Sequence, residues 1–331
     1  MKTEHIALVT GGYSSENIVS FKSAKTVLNA LSENYTSVFW IEIHQDQWFC
    51  TFNGTNYPID KNDFSITING LKINFDFIYL VLHGTPAEDG LLPAYFDLIN
   101  LPYSCCSPIA SQITFDKAAT IRYAKALNIP VSPSIEINKQ TFNEQGAPHI
   151  EFTFPVFVKA CRSGSSFGVV KVDAPNHLES ALIEAFKYDD NCIIEQGMTG
   201  TEVTCGVLET EKGIETIAIT EVVAHNDFFD FNAKYNGDAD EITPARISKE
   251  EENCVIELTK RIYSAFDLAG VCRIDYMIVD KKPYLIEINT IPGVTNESFI
   301  PQQVRYTGKT LSQFFDEQVV FGLKKHQNEK A

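Results

Sequence analysis

The chain has 331 residues, 44% hydrophobic and 21% charged, an ordinary water-soluble composition at a length that points to two or three domains rather than one core. Its formal charge of -16 excludes wholesale nucleic-acid binding, which needs a basic surface, and leaves an anionic small substrate open where a few Lys and Arg converge. No run of about 18 apolar residues marks a membrane span, Met1-Lys-Thr-Glu-His lacks a signal-peptide pattern, and eight scattered cysteines without C-x-x-C fit a reducing cytoplasm.

His5 to Thr10 reads as a short apolar strand. Gly11-Gly12 follows, then a helix from about Glu16 to Leu31 with Ala24, Val27, Leu28 and Leu31 at helical spacing. Ser14 or Ser15 is the expected cap. Strand, Gly-Gly and helix N-terminus form a generic α/β opening, and without G-x-G-x-x-G the dinucleotide signal is weak. Glu16 has a purely structural explanation in the helix dipole. Further strands are expected at residues 37–43 and 75–82, with short hairpins at 48–58 and 64–73. His83-Gly84 lies just past the 75–82 strand, where open α/β sheets hold ligands, although a plain turn histidine fits equally. Glu88-Asp89-Gly90 opens a helix to about Ile99. A helix over 108–127 contains Asp116-Lys117, and the prolines at 130 and 133 mark a junction.

The strand ending at Lys159, the loop Arg162-Ser-Gly-Ser-Ser-Phe-Gly168 and a strand over 169–172 read as a hairpin. Gly and Ser let backbone N–H groups approach an anion, and Lys159 supplies charge, although an ordinary hairpin loop reads the same way. The Walker pattern is absent, which excludes a P-loop NTPase. A helix follows near 176–187, then strands at 192–195, from 201, and over 213–224. Residues 225–238, with Lys234-Tyr235, are long, polar and aromatic, as functional lids are. Ser248-Lys-Glu-Glu251 is a capping box for a helix to about Leu268, with Val255, Leu258, Ile262 and Phe266 on its core face and Gly270 at its end. Residues 310–323 make a last amphipathic helix before a polar tail.

Between them lies a paired strand signal. Residues 272–279 are rich in Ile, Val and Tyr, Asp280-Lys-Lys-Pro283 breaks the run, and a second strand spans 284–289. Alternation puts Arg273 and Asp275 on one face, and Glu287 and Asn289 on one face. A register centred on Lys281 sets Asp275 opposite Glu287 and Arg273 opposite Asn289. Like charges directly opposite destabilise a sheet, unless a hard cation lies between them. Oxygen ligands completed by substrate phosphates suit Mg²⁺. A half-exposed hairpin with solvated acids is the alternative.

These blocks in this order are G-G-Y-S-S-E16-N-I-V-S, H83-G-T-P-A-E-D-G, F-D-K117, F-V-K159-A-C-R-S-G-S165-S-F-G, I-I-E195, N-A-K234-Y235, R273-I-D275 and E287-I-N289-T-I-P-G293-V-T-N-E-S298-F. Over nearly the whole chain they resemble the D-alanine–D-alanine ligases of the ATP-grasp superfamily. Y-S-C-C and E-I-T-P-A-R resemble those of the Bacteroidetes group. The resemblance implies a mixed α/β (α+β) ATP-grasp fold in three domains. They are an N-terminal α/β substrate domain (1–116), a central ATP-grasp subdomain (117–205) and a C-terminal ATP-grasp and catalytic domain (206–331). It implies ligation of two D-alanines through an acyl phosphate, with ATP and two Mg²⁺ (Mn²⁺ as a substitute), in a cytoplasmic homodimer.

The same resemblance assigns roles. Asp275, Glu287 and Asn289 hold the metals. Lys117, Lys159 and the Ser165-Ser166 loop meet the phosphates, and Glu195 and Glu202 the adenosine end. Glu16 takes the first ammonium, with His83 nearby. Arg273 and the Gly293 N–H stabilise the oxyanion. Ser298, Phe299 and Lys234 take the second carboxylate, and Tyr235, with Ser165 and Glu16, pins the lid. Asn17-Ile18, Ala87, Ala160 and Gln196 depart from the family pattern, and none removes an assigned catalytic group. Another carboxylate–amine or carboxylate–hydroxyl ligase, such as a D-alanine–D-lactate ligase, is the alternative. A neutral phenol at Tyr235 does not repel an incoming ammonium and favours the dipeptide. A non-catalytic nucleotide-binding protein would not need Arg273.

Overall fold

The structure, a computed structural model, describes residues 2–14, 16–164, 167–224 and 239–329. The first elements are β1 (Lys2–Gly11), α1 (Asn17–Leu31), β2 (Tyr35–Ile43), β3 (Trp48–Phe52), β4 (Thr55–Pro58), β5 (Ile66–Ile68), β6 (Leu71–Ile73), β7 (Phe77–Leu80) and α2 (Leu91–Leu98). Their main sheet runs β4-β3-β2-β1-β7, with β1 parallel to both neighbours. Ile6 and Leu8 pack into one core and Ala7 and Val9 into another, so both faces of β1 are covered. That explains its unbroken apolar run. The hairpins at 48–58 and 64–73 form as expected. Glu16, not Ser14, takes the cap position of α1; Ser14 Oγ accepts the Glu16 N–H instead, at 3.3 Å. Ser15 lies outside the described residues.

The helix expected over 108–127 is two helices, α3 (Pro108–Phe115) and α4 (Lys117–Ala126). Asp116 between them is extended at ψ 108°, and its carboxylate accepts the Ala119 N–H at 3.0 Å. A side chain that caps better than it continues a helix splits the run. Next come β8 (Ser134–Asn138), α5 (Lys139–Gln145), β9 (Val156–Ala160), β10 (Val169–Val172), α6 (Leu178–Ala185) and β11 (Asn191–Gln196). They build an antiparallel sheet, β10-β9-β11-β8, with α6 on one face and α4 on the other.

The last elements are β12 (Thr201–Thr210), β13 (Gly213–Ala224), β14 (Ala239–Ile242), α7 (Lys249–Ala265), β15 (Cys272–Val279), β16 (Lys282–Asn289), α8 (Phe299–Tyr306) and α9 (Leu311–Glu329). Their sheet runs β14-β13-β12-β15-β16. The break expected between residues 205 and 206 falls inside β12. The capping box of α7 forms in full, and Val255, Leu258, Ile262 and Phe266 bury against the sheet. Each such side chain contributes about 1.5–3 kcal/mol on burial. Two residues after α7 are left-handed, Asp267 (φ 52°) and the expected Gly270 (φ 67°). Asp tolerates that region through its short polar side chain. Gly270 also serves a close approach: a Cβ there would collide with the Ser104 carbonyl. The last helix, expected over 310–323, runs on through the polar tail to Glu329. Among the described residues no helix is long and apolar enough to cross a membrane.

Candidate active site

The β15–β16 hairpin brings Asp275 opposite Glu287 and Arg273 opposite Asn289, as the alternation predicts, but by another route. The turn has two residues, Asp280 and Lys281, at φ 47° and 64°, the primed geometry that matches strand twist. Lys282 and Pro283 lie inside β16, where an edge strand tolerates proline. Taken alone, this turn would pair Asp275 with Ile286. One extra residue, Ile286, bulges between the pairs Tyr276–Leu285 and Asp275–Glu287 and moves the register by one. Without it Glu287 would face the core and Ile288 the site. Leu285 and Ile288, both in the core and three residues apart, are the sequence signal of this bulge.

Arg273 is held on three sides. Its Nε and Nη2 donate to the two oxygens of Asp275 at 2.9 and 2.7 Å, Glu287 Oε1 lies 3.6 Å from Nη2, and the guanidinium stands 5.4 Å from the centre of the Phe299 ring. Thr204 Oγ1 donates to Asp275 at 2.5 Å, and Asn289 Nδ2 donates to Asp275 at 3.2 Å and Glu287 at 3.4 Å. Planar bidentate pairing fixes the head of Arg273 as a point charge could not.

The loop after β16 leads into α8, whose first residue is the Phe299 that faces Arg273. Gly293 lies beside Ser298, whose Oγ is 3.2 Å from where a Cβ on Gly293 would stand. Ser298 precedes α8 but does not cap it; its Oγ pairs with Thr295 Oγ1 at 2.8 Å. The first N–H groups of α8 are thus not engaged by their own cap, which suits a carboxylate. Helix α1 anchors both sides: Ser23 Oγ accepts the Val294 N–H at 3.2 Å and Ser20 Oγ the His83 N–H at 2.9 Å. One turn before Ser20, Glu16 points its carboxylate between two glycines. Its oxygens come within 3.1 Å of a Cβ position on Gly84 and 2.5 Å of one on Gly164. A side chain at either place would displace it.

Burial lowers His83 to about 4, with Arg273 adding to the effect, so its imidazole is neutral near pH 7. Its Nε2 is buried with no hydrogen-bond partner among the described residues. Burial also lowers Lys117, whose Nζ donates to the Ser163 carbonyl at 2.6 Å, while Glu287 opposes the shift. Lys159 on β9 pairs with Glu195 on β11 across adjacent strands, each side chain largely buried. Glu202 lies on β12, paired with Met277. Lys234, Tyr235, Ser165 and Ser166 lie outside the described residues.

The donor set fits a hard cation. Among the described residues no three His, Cys, Asp or Glu gather as a metal cluster. Here two carboxylates and an amide converge instead, and Mg²⁺ takes its remaining oxygens from water and substrate phosphate.

Two family models match the chain: "D-ala D-ala ligase N-terminus" over residues 5–106 and "D-ala D-ala ligase C-terminus" over 123–320. The D-alanine–D-alanine ligase of Flavobacterium psychrophilum is 41% identical, covering 96% of this chain and 97% of that protein. The chain belongs to the D-alanine–D-alanine ligase family. Its fold is that of the family, ATP-grasp. The VanG D-Ala:D-Ser ligase from Enterococcus faecalis superposes with a TM-score of 0.85 at 26% identity, over 97% of this chain and 99% of that one. The D-alanine–D-alanine ligase of Bacillus anthracis complexed with ATP gives 0.76 at 23%, over 99% and 100%.

Glu88, Thr204 and Gln303 carry no assigned role in the sequence reading. Only Glu88 had a signal, a carboxylate just past the carboxyl end of β7. Burial raises Glu88 to about 8, with Glu16 adding to the shift, while the Gly84 N–H donates to it at 2.6 Å. A carboxyl raised from 4.5 keeps its proton longer folded than unfolded. The stability tied to the neutral form is fully present below about 4.5 and is lost as the pH rises through about 8. Glu88→Gln removes this loss. In thermal unfolding without ligands, the variant's advantage over the parent should be near zero at pH 4.5 and largest at pH 8. A difference that ignores pH would show that Glu88 is ionised in the folded chain.

Proposed function

We propose that the chain joins two D-alanines with ATP to give D-alanyl-D-alanine for peptidoglycan precursor synthesis. A carboxylate oxygen of the first D-alanine attacks the γ-phosphorus, the bond to ADP breaks, and an acyl phosphate forms. The neutral amine of the second attacks the acyl carbon. The tetrahedral intermediate then expels phosphate and the nitrogen gives up a proton. The observation that carries this is Arg273, clamped by Asp275 beside Glu287 and faced by the Phe299 ring. Simple nucleotide binding does not call for a fixed cation where an oxyanion develops.

In this reading Arg273 and the Gly293 N–H hold the oxyanion. Glu16 receives the first ammonium beside neutral His83, and Ser298, Phe299 and Lys234 receive the second carboxylate. Lys117, Lys159, Ser165 and Ser166 meet the phosphates, Glu195 and Glu202 hold the adenosine end, and Tyr235 pins the lid. Release of Glu195 frees the Lys159 ammonium for phosphate. Asp275, Glu287 and Asn289 would hold two Mg²⁺, or Mn²⁺, which when bound neutralise phosphate charge. We also propose a cytoplasmic homodimer of three units, with the second break before β12 at Thr201 rather than after residue 205, since β12 belongs wholly to the last sheet. All eight cysteines are free thiols, seven of them buried, which supports a reducing compartment.

Release of ADP and phosphate should require both D-alanine and Mg²⁺, and the product should be the dipeptide. Equal turnover with L-alanine, or AMP among the products, overturns the assignment. An ester made in preference from equal D-alanine and D-lactate would favour the carboxylate–hydroxyl reading.

A further inference from the structure

Gln303 lies on α8, wholly buried, yet its carboxamide is fully engaged. Its Oε1 accepts the Gly206 N–H at 3.0 Å, and its Nε2 donates to the Thr204 carbonyl at 3.2 Å and to Thr220 Oγ1 at 3.1 Å. One acceptor and one donor offered to a strand backbone are what a peptide group on a neighbouring strand would offer. The ladder between β12 and β13 slips at this point: Cys205 pairs with Ile219 and Val207 with Thr216, so Ile217 and Ala218 stand against Gly206 alone. Gln303 satisfies backbone groups at the slip. On its other side β12 pairs regularly with β15, Thr204 against Asp275 and Gly206 against Arg273. The two residues that Gln303 grips are therefore the direct neighbours of the two charged groups of the site.

Phe299 lies one helical turn before Gln303 and shares its face of α8. Its ring covers the Arg273 guanidinium, and Ser298 precedes it. Gly206 allows the close approach. A Cβ there would meet the Gln303 oxygen and come within 2.8 Å of Ile300 Cδ1, also on α8.

We propose that Gln303 is a positioning residue for the second substrate, its carboxamide tying α8 to β12 and so setting the Ser298–Phe299 end of α8 against Arg273. This rests on the proposed ligase reading. Gln303→Met keeps the volume and removes the tie. Gly206→Ala keeps the carboxamide and pushes α8 away. In both, the KM for the second D-alanine rises about tenfold, the loss of one buried hydrogen-bonded tie. The kcat falls by up to about a hundredfold, as for a reacting group displaced by about 1 Å. The KM for ATP stays at the parent value, a split that general destabilisation does not produce. A crystal structure of either variant shows the N-terminal turn of α8 displaced from β15. Parent-like KM for the second D-alanine in a folded variant, KM for ATP rising in step with it, or an unmoved α8 overturns the role of Gln303. Failure of both variants to fold makes the tie structural only and overturns it too. A parent chain that releases no ADP with D-alanine overturns the ligase reading itself, and the role of Gln303 with it.

Discussion

Replacing Arg273 with methionine lowers kcat by about 10²–10³-fold, the cost of one preorganised group that stabilises a developing oxyanion. Methionine keeps an unbranched stem against Phe299 but loses the charge and both bonds to Asp275, at 2.9 and 2.7 Å. The variant is also less stable without ligands, because Asp275 and Glu287 then face each other with no cation between them. Mg²⁺ with nucleotide supplies a counter-charge and restores the melting temperature, while kcat stays low. That separation distinguishes a catalytic cation from a structural one. Arg273→Lys keeps the charge without the fork and falls between parent and methionine. A folded Arg273→Met enzyme with near-parent kcat removes Arg273 from the chemistry.

Glu287→Gln lowers kcat at least about a hundredfold, again the scale of one electrostatic group acting in the transition state. The amide keeps the shape and can still accept from Asn289 Nδ2, which lies 3.4 Å from Glu287 Oε1, so the fold should hold. Only the charge is lost. The Mg²⁺ concentration for half-maximal activity rises, and so does that needed to shift the melting temperature by half, a readout that needs no turnover. Unchanged Mg²⁺ dependence in both measurements takes Glu287 out of the metal set.

Much of this site could be read from local pattern. Period-two alternation put Asp275 and Glu287 on usable faces, Ser248 and Glu251 announced α7, and the Gly-rich and acidic blocks came in the order of the ligase family. Each of these signals spans a few residues, and their physics is steric and local. The register was right for a reason the pattern did not contain. A tight turn and a bulge at Ile286, set by packing Leu285 and Ile288 on the same core, together give the pairing that a looser turn was expected to give. Asp116 split a helix because its carboxylate found an N–H better used as a cap.

The sequence by itself determined the family, the reaction class it implies and the charged residues available to it. Tertiary structure decided which of those residues meet and in what state. Residue 16 stands at the start of α1, 83 and 88 share the loop after β7, and 204, 273 and 303 lie on β12, β15 and α8; no spacing along the chain specifies how these segments come together. His83 is neutral, and Glu88 holds its proton to about 8, because distant segments exclude water from both. Gln303 gains its place only where β12 and β13 slip out of step. Propensity and turn chemistry act over a few neighbouring residues, whereas burial, dielectric and the orphaned groups of an irregular ladder exist only after the sheets have packed.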